Sequence, residues 1–192
     1  MEKLDAAYWQ QRYETGQTGW DLGHVSAPLR RIIDALPDKQ LRILVPGAGN
    51  GYEVRYLQAC GFEAVTVVDL AAAPLAQLAA SLPDLSGIRL IQADYFDHTG
   101  QYDLQLEQTF FCALKPRLRP AYVQQAHRLL APGGHLRGVL FNRTFDRPGP
   151  PFGGSADEYR RLFTPRFELR TLIPCDHSEE ARQELLIDFV RQ

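Results

Sequence analysis

The sequence predicts a three-layer α/β fold, in which a mostly parallel sheet of seven strands is covered by helices on both faces. Short aliphatic runs alternate with segments of helical period along most of the chain. A glycine cluster joins the first such run to a helix, and the last two strands have no helix between them, which predicts a C-terminal antiparallel hairpin. With 192 residues and 45% apolar content, the chain fits one domain over residues 1–192.

The first 28 residues are predicted to form a helix of about 14 residues, ending near Gly16, and then an irregular segment. Aromatic side chains are concentrated here, and Trp9 and Tyr13 are four residues apart, on one helix face. Docking of an apolar stripe on the domain would explain them. A flap over a cationic ligand would also explain them, because aromatic faces attract cations and a closed flap excludes water.

The remaining elements follow from hydrophobic periodicity and turn residues. The predicted strands are short apolar runs bounded by turns: residues 41–46, 64–70, 88–93, 102–108, 135–142, 167–174 and 183–190. The predicted helices have apolar residues at helical spacing: residues 29–36, 52–59, 71–82, 116–130 and 155–163.

Prolines and glycines mark the boundaries of these elements. Pro74 falls in the first turn of a predicted helix, where proline is tolerated. Pro132, Gly133 and Gly134 end the helix before the fifth strand. Residues 143–154 contain three prolines and three glycines and are predicted to be a loop. A loop of about 12 residues is typical of a site wall or lid.

Composition argues against several classes of partner. The net charge is −2 and the 21 basic residues are scattered, so we expect no nucleic-acid partner. No apolar run reaches the roughly 18 residues of a membrane span, and the N-terminus does not have the pattern of a secretory signal. We therefore expect no membrane partner and a cytoplasmic location. The expected oligomeric state is a monomer or a weak homodimer. Three widely spaced cysteines and five dispersed histidines predict neither disulfides nor a metal site.

Glycines at residues 47, 49 and 51 form a GxGxG turn between the first strand and its helix. Such a turn brings backbone N–H groups close to a ligand at a helix N-terminus. The spacing is one residue short of the dinucleotide pattern GxGxxG. Tight turns in an ordinary α/β protein would explain Gly47, Gly49 and Gly51 equally well.

Acidic residues at the ends of the next two strands strengthen the ligand hypothesis. Asp69 ends the second strand about 20 residues after the turn, where a carboxylate can accept hydrogen bonds from ribose hydroxyls. Asp94 and Tyr95 end the third strand and are placed for an adenine amino group and ring. The short turn favours a nucleoside without pyrophosphate, S-adenosylmethionine, over the nicotinamide cofactor of an oxidoreductase.

Two polar side chains end the fourth strand, and two phenylalanines follow. Glu107 or Gln108 is predicted to bind the amino group of the methionine moiety, and Phe110 is predicted to pack beneath or contact the acceptor. Pro151, in the loop, is a further candidate for acceptor contact. Cys112 is an alternative nucleophile, but no histidine near it in the sequence would activate it.

Five stretches of the chain resemble the thiopurine S-methyltransferase family, and especially its thiol, thiocyanate and halide methyltransferase branch. They are YWQQRYETGQTGWDLG at 8–23, LVPGAGNGYEV at 44–54, VVDL at 67–70, EQTFFCAL at 107–114 and GPPFGGSADEY at 149–159. The resemblance runs from Tyr8 to the C-terminus.

The resemblance implies a class I methyltransferase (Rossmann-like) fold with an N-terminal helical flap over S-adenosylmethionine. The residues that match the family's cofactor-binding positions are Trp9, Tyr13, Trp20, Gly47, Asp69, Asp94 and Tyr95. Two positions depart from the family. Tyr13 stands where tryptophan is usual, and Glu107-Gln108 replaces an aspartate-tyrosine pair of the thiol and halide branch.

The expected reaction is in-line transfer of a methyl group to a small, soft nucleophile, most simply a thiol. A thiol with a pKa of about 8.5 is partly ionised at neutral pH, so no general base is assigned. Two alternatives remain, a halide or thiocyanate methyltransferase and a non-catalytic protein that binds S-adenosylmethionine or S-adenosylhomocysteine.

Overall fold

Seven strands form one sheet in the computed structural model of the chain, which describes residues 4–179 and 182–192. The strands are β1 (Ile43–Pro46), β2 (Val65–Asp69), β3 (Ile88–Gln92), β4 (Tyr102–Glu107), β5 (Leu130–Phe141), β6 (Phe167–Pro174) and β7 (Glu184–Arg191). The helices are α1 (Ala6–Glu14), α2 (Ala27–Asp34), α3 (Tyr52–Ala59), α4 (Ala72–Ser81), α5 (Arg119–Leu129) and α6 (Ala156–Phe163). Short 3-10 turns cover Phe111–Ala113 and Pro116–Leu118.

The strand order is β3-β2-β1-β4-β5-β7-β6. The first five strands pair in parallel, whereas β7 lies antiparallel between β5 and β6. The predicted fold class, a mostly parallel sheet with a C-terminal antiparallel hairpin, is therefore confirmed. The order reverses direction at β1, so the carboxyl ends of β1 and β4 border the crevice in which open α/β sheets bind ligands.

Side chains of the central strands alternate between two hydrophobic cores, one on each face of the sheet. Ile43 and Val45 belong to the core beneath α3 and α4, while Leu44 between them belongs to the core beneath α5 and α6. A strand that is buried on both faces must be apolar throughout, which explains the continuous runs of the sequence.

Most element boundaries differ from prediction by one or two residues, and the larger differences concern α1, α5 and β5. The helix α1 is shorter because Asp5, which accepts a hydrogen bond from the Tyr8 N–H (3.1 Å), caps it. A 3-10 turn precedes α5. The Pro132-Gly133-Gly134 segment does not separate α5 from β5. The strand begins at Leu130, and an irregularity in its pairing with β4 accommodates the segment.

The N-terminal helix rests on the surface of the domain, since none of its residues is buried. None of the helices in the described part of the chain is long and apolar enough to cross a membrane.

Candidate functional site

A cavity of about 720 Å³ lies between the carboxyl ends of the parallel strands and the N-terminal segment. Its volume suits a nucleoside cofactor together with a small second molecule. The sequence-predicted site residues that line it are Trp9, Tyr13, Trp20, Gly47, Gly49, Asp69, Asp94, Tyr95, Gln108, Phe110 and Pro151.

Two predicted site residues do not line the cavity. Gly51 begins α3 with φ of 66°, and a Cβ there would lie 2.4 Å from Leu78 Cδ1, so this glycine allows α3 to pack closely on α4. Glu107 has no exposed surface, and its carboxylate is bonded beneath the cavity. The prediction that it contacts the acceptor or the methionine moiety is therefore corrected.

Asp69 is held by two backbone hydrogen bonds at the end of β2. The Ala48 N–H in the glycine turn donates to its Oδ2 and the Ala71 N–H donates to its Oδ1, both at 2.8 Å. Each oxygen can accept a second bond, and the side chain lines the cavity. Burial raises the pKa of this carboxyl group. The arrangement fits a pair of ribose hydroxyls.

Asp94 and Tyr95 follow β3 at the neighbouring position. The Phe96 N–H donates to Asp94 Oδ1 (2.9 Å), which orients the carboxylate in a turn. Tyr95 is only 2% exposed, and its hydroxyl donates to Gln105 Oε1 (3.0 Å) in the core. Asp94 can therefore accept a bond from an adenine amino group, whereas Tyr95 offers only its ring edge and backbone.

The three aromatic residues predicted to cover the cofactor form one cluster. The Trp20 ring centroid lies 5.8 Å from that of Trp9 and 5.7 Å from that of Tyr13, in edge-to-face geometry. Burial raises the pKa of the Tyr13 hydroxyl well above its ordinary value, and the charge of Asp69 adds to the shift. The ring therefore stays neutral, as a cation-binding aromatic face requires.

Three side-chain hydrogen bonds fasten this N-terminal segment over the cavity. The Ala73 N–H at the start of α4 donates to Gln10 Oε1 (2.9 Å). The Asn50 side chain in the glycine turn donates to Asp21 Oδ2 (2.5 Å), and the Ser26 hydroxyl donates to Gln108 Oε1 (2.8 Å). Hydrogen bonds of this kind can be replaced by hydrogen bonds to water, which suits a segment that must open to admit the cofactor.

Glu107 shapes the turn that follows β4. Its Oε1 accepts hydrogen bonds from the Phe110 and Phe111 N–H groups at 3.0 and 2.8 Å, and its Oε2 accepts one from the Tyr122 hydroxyl at 2.5 Å. Thr109, between them, has φ of 63°, an unfavourable conformation for a β-branched residue. These bonds hold a strained turn that presents Gln108 and Phe110 to the cavity.

Replacing Tyr122 with phenylalanine is expected to lower the free energy of unfolding by about 1–2 kcal/mol, because Glu107 loses a donor and Gln105 Nε2 loses an acceptor at 3.0 Å. Urea denaturation measures this change. Tyr56→Phe is the matched control, since the Tyr56 hydroxyl bonds to Asp34 at the exposed surface. An equal loss in both variants would contradict the buried network.

Charge is divided along the cavity. The carboxylates that line it come from the first half of the chain: Asp5, Asp21, Glu53, Asp69 and Asp94. Arg12 is a cation on that side, but the other lining cations come from later segments: Lys115, Arg117, Arg143, Arg147 and Arg182. We call the part of the cavity lined by the first set of segments, which includes the predicted cofactor residues, its acidic end, and the part lined by the segments after β4 its basic end.

The basic end lies beside the turn after β4 and the proline-rich loop. Phe145 and Pro151 add apolar surface there. Cys112 also lines this end, but burial raises its pKa far above neutrality and its thiol donates to the Thr109 carbonyl (3.3 Å). It is therefore a protonated structural thiol at neutral pH. Within the described residues, no cluster of three or more His, Cys, Asp or Glu is arranged to hold a metal ion.

Several lining residues were not predicted from the sequence. Asp21 and Glu53 lie next to predicted site residues, so their proximity to Trp20 and Gly51 was an available signal. The basic residues are spread over nearly 70 positions, and nothing in their spacing predicts that folding brings them to one wall.

Comparison with known proteins identifies the family. Residues 4–190 match the family described as "Thiopurine S-methyltransferase (TPMT)". The chain is 29% identical over 170 residues to "Probable thiol methyltransferase 2" of Arabidopsis thaliana, covering 86% of this chain and 75% of the relative. It is 27% identical over 169 residues to "Thiocyanate methyltransferase 1" of Brassica oleracea, covering 85% and 74%.

Among solved structures, the fold is similar to that of the 1,6-didemethyltoxoflavin-N1-methyltransferase of Burkholderia thailandensis, which contains bound S-adenosylhomocysteine. The TM-score is 0.77 at 20% identity, over 97% of this chain and 87% of the other. The resemblance inferred from the sequence motifs is thus confirmed. The chain belongs to the thiopurine S-methyltransferase family and is an S-adenosylmethionine-dependent methyltransferase.

Proposed function

We propose that the enzyme methylates the sulfur of a small thiol, and that the thiol binds as its thiolate. The observation that carries this proposal is the basic end of the cavity. Among the described residues that line it, from Gln108 to Arg182, five are cationic and none is a carboxylate or an imidazole; one of the five, Arg182, is paired with Glu184 at 2.8 Å. An oxygen or nitrogen acceptor that must lose a proton during transfer would usually need such a base.

A thiol meets these conditions without proton transfer to the protein. Its ordinary pKa of about 8.5 falls beside positive charge, because the charge favours the ionised form. S-adenosylmethionine supplies an electrophilic methyl on a sulfonium. The residues of the chain orient the two reactants and exclude water. At the basic end, the apolar side chains of Phe110, Phe145 and Pro151 exclude water.

The names of the relatives support sulfur as the attacking atom, since one is a thiol and another a thiocyanate methyltransferase. Thiocyanate and halides are anions without a proton, so the same basic wall also suits them. The departure at Glu107-Gln108 concerns a pair shared by thiol and halide methyltransferases, so it does not rank these acceptors. We place the thiol first because the relative at 29% identity is a thiol methyltransferase and the one at 27% a thiocyanate methyltransferase.

The decisive experiment is a panel of acceptors incubated with methyl-labelled S-adenosylmethionine and analysed by mass spectrometry. The panel contains neutral thiols, thiols with a carboxylate, thiopurines, thiocyanate, iodide and the corresponding phenols and amines. Methylation of thiols alone, or of thiols most rapidly, supports the proposal. Transfer only to thiocyanate or iodide favours the alternative reaction, and transfer to no acceptor favours a binding protein.

Replacing Arg147 with glutamine is expected to raise the KM for a carboxylate-bearing thiol by roughly two- to fivefold, and to raise the KM for a thiol without a carboxylate by less, because only the first carries a second negative charge. Arg147 is exposed at the cavity margin, where a single charge contributes modestly. Steady-state kinetics with both thiols measures the difference. Arg161→Gln, an exposed change on α6 away from the cavity, is the control. Equal KM changes for both thiols would count against recognition of the acceptor carboxylate by Arg147.

A further inference from the structure

Glu53 is an acidic residue of the cavity to which no role follows from the sequence motifs. It lies in the first turn of α3, directly after the glycine turn. Its side chain is partly buried and lines the cavity. In the described part of the chain, its carboxylate forms no hydrogen bond or ion pair with another side chain, and Arg55 on its own helix is the cation that acts on it.

Charges of both signs lie near Glu53, since Arg55 acts on its carboxylate and Asp21 and Asp69 share its influence on Tyr13. Glu53, Asp21 and Asp69 all act on the Tyr13 hydroxyl and raise its pKa, so the three carboxylates converge on one region of the cavity. The Arg55 guanidinium lies 4.7 Å from the ring centroid of Tyr52, beside the helix. A partly buried carboxylate with no hydrogen-bonded cation is costly unless a bound ligand supplies one.

The cofactor carries two positive groups, a sulfonium and an α-ammonium, and only the second can donate a hydrogen bond to a carboxylate. The sulfonium has no hydrogen to donate, and its methyl must point toward the acceptor at the basic end. The α-ammonium of the methionine moiety has hydrogens to donate and takes no part in the transfer. A carboxylate that binds the ammonium forms a charge-assisted hydrogen bond.

We propose that Glu53 is a cofactor-binding residue whose carboxylate pairs with the α-ammonium of S-adenosylmethionine. This assigns to α3 the contact that the sequence placed on Glu107 or Gln108. Glu107 accepts three bonds beneath the cavity, and Gln108 Oε1 accepts one from Ser26. Asp69 then binds the ribose hydroxyls, Asp94 the adenine amino group and Glu53 the α-ammonium, so each of these three parts of the cofactor has its own carboxylate.

The test compares two ligands in calorimetric titrations of the full-length protein. S-adenosylhomocysteine contains the ammonium, and 5′-methylthioadenosine contains the same nucleoside without the amino-acid portion. For Glu53→Gln, we expect the Kd of S-adenosylhomocysteine to rise about ten- to a hundredfold, as for loss of a charged hydrogen bond. The Kd of 5′-methylthioadenosine should stay within about twofold of the wild-type value.

Two further variants make the comparison specific. Glu63→Gln removes an exposed carboxylate after the same helix and should change neither Kd. Glu53→Asp keeps the charge and should recover part of the affinity for S-adenosylhomocysteine. A similar loss of both ligands in Glu53→Gln would show that the residue only maintains the pocket, and an unchanged Kd for S-adenosylhomocysteine would likewise overturn the proposal.

The pH dependence provides an independent readout. Burial raises the pKa of the Glu53 carboxyl group to about 7. Only the ionised form pairs with an ammonium, so wild-type affinity for S-adenosylhomocysteine should increase as the pH rises from about 6 to about 8. The titratable or charged groups around it are Tyr13 of α1, Asp21 of the N-terminal segment, Asp69 of β2, and Tyr52 and Arg55 of α3. These groups are retained in Glu53→Gln, so an equally steep profile in the variant would refute the assignment.

Discussion

Replacing Asp69 with alanine will weaken binding of S-adenosylhomocysteine by about five- to 150-fold, equivalent to about 1–3 kcal/mol. The carboxylate is positioned by two backbone N–H groups at 2.8 Å and faces the cavity. Its removal eliminates charge-assisted bonds to the ribose. It also leaves the Ala48 N–H in the glycine turn without its acceptor, so the loss reaches the turn itself.

Isothermal titration calorimetry measures this effect, and Asp97→Ala is the matched control. Asp97 is exposed, lies in the turn after β3 and does not line the cavity. Asp69→Asn separates the two roles of the carboxylate. An amide can accept at one oxygen but places an NH₂ group opposite the N–H of Ala48 or Ala71. Unchanged affinity in Asp69→Ala would mean that the ribose binds elsewhere.

The sequence predicted the fold class correctly because the information that defines it is local. The helix over Tyr52–Ala59 and the strand over Phe167–Pro174 have the predicted limits. Their periodicity and flanking turns are visible within a few residues. The predicted start of β5 was wrong because Pro132-Gly133-Gly134 was interpreted as the end of the preceding helix and a turn. Whether such a segment interrupts a strand depends on its pairing with β4, a partner distant in sequence.

Topology was enough to place a predicted site residue on the cavity wall where it stands at a strand end, whereas other predictions were corrected where neighbours in space decide the position of a side chain. Asp69 could be placed from topology alone. Gly51 and Gly47 look equivalent in the glycine turn, but Leu78 of α4 occupies the space beside Gly51. Glu107 ends a strand as Asp69 does, yet its side chain is buried and accepts a hydrogen bond from the Tyr122 hydroxyl of α5. These contacts, one between two helices and one between a strand and a helix, join residues distant in sequence and cannot be inferred from local sequence.

The proline-rich loop, which we propose forms the acceptor wall, is fixed to the rest of the domain by hydrogen bonds to its backbone. The Phe152 N–H donates to the Cys112 carbonyl (2.7 Å), and the Gly154 N–H donates to the Arg143 carbonyl (2.9 Å). Arg119, which is buried and paired with Glu158 at 2.6 Å, donates to the Gly153 carbonyl at 2.7 Å. These contacts place Pro151 at the cavity.

Replacing Gly153 with alanine is therefore expected to displace this wall. The added Cβ would lie 1.9 Å from the Arg143 carbonyl oxygen, and the obstacle is backbone that cannot rotate aside. Overlap of this kind costs about 1–3 kcal/mol when the surroundings yield. The loop can yield only by losing the bonds that hold it to Arg143 and Arg119, so we expect acceptor KM to rise by roughly tenfold or more, since about 1.4 kcal/mol corresponds to tenfold.

Affinity for S-adenosylhomocysteine should remain within about twofold in the same variant, because the residues assigned to the cofactor lie on other segments of the cavity wall. Gly149→Ala is the control. It lies in the same loop at φ of +85° with open space around it, so it introduces backbone strain without overlap. Steady-state kinetics gives the KM of the acceptor and calorimetry gives the Kd of S-adenosylhomocysteine for each variant. If Gly153→Ala weakens the cofactor as much as the acceptor, the loop does not act on the acceptor end alone, and an unchanged acceptor KM would show that the wall does not depend on this contact.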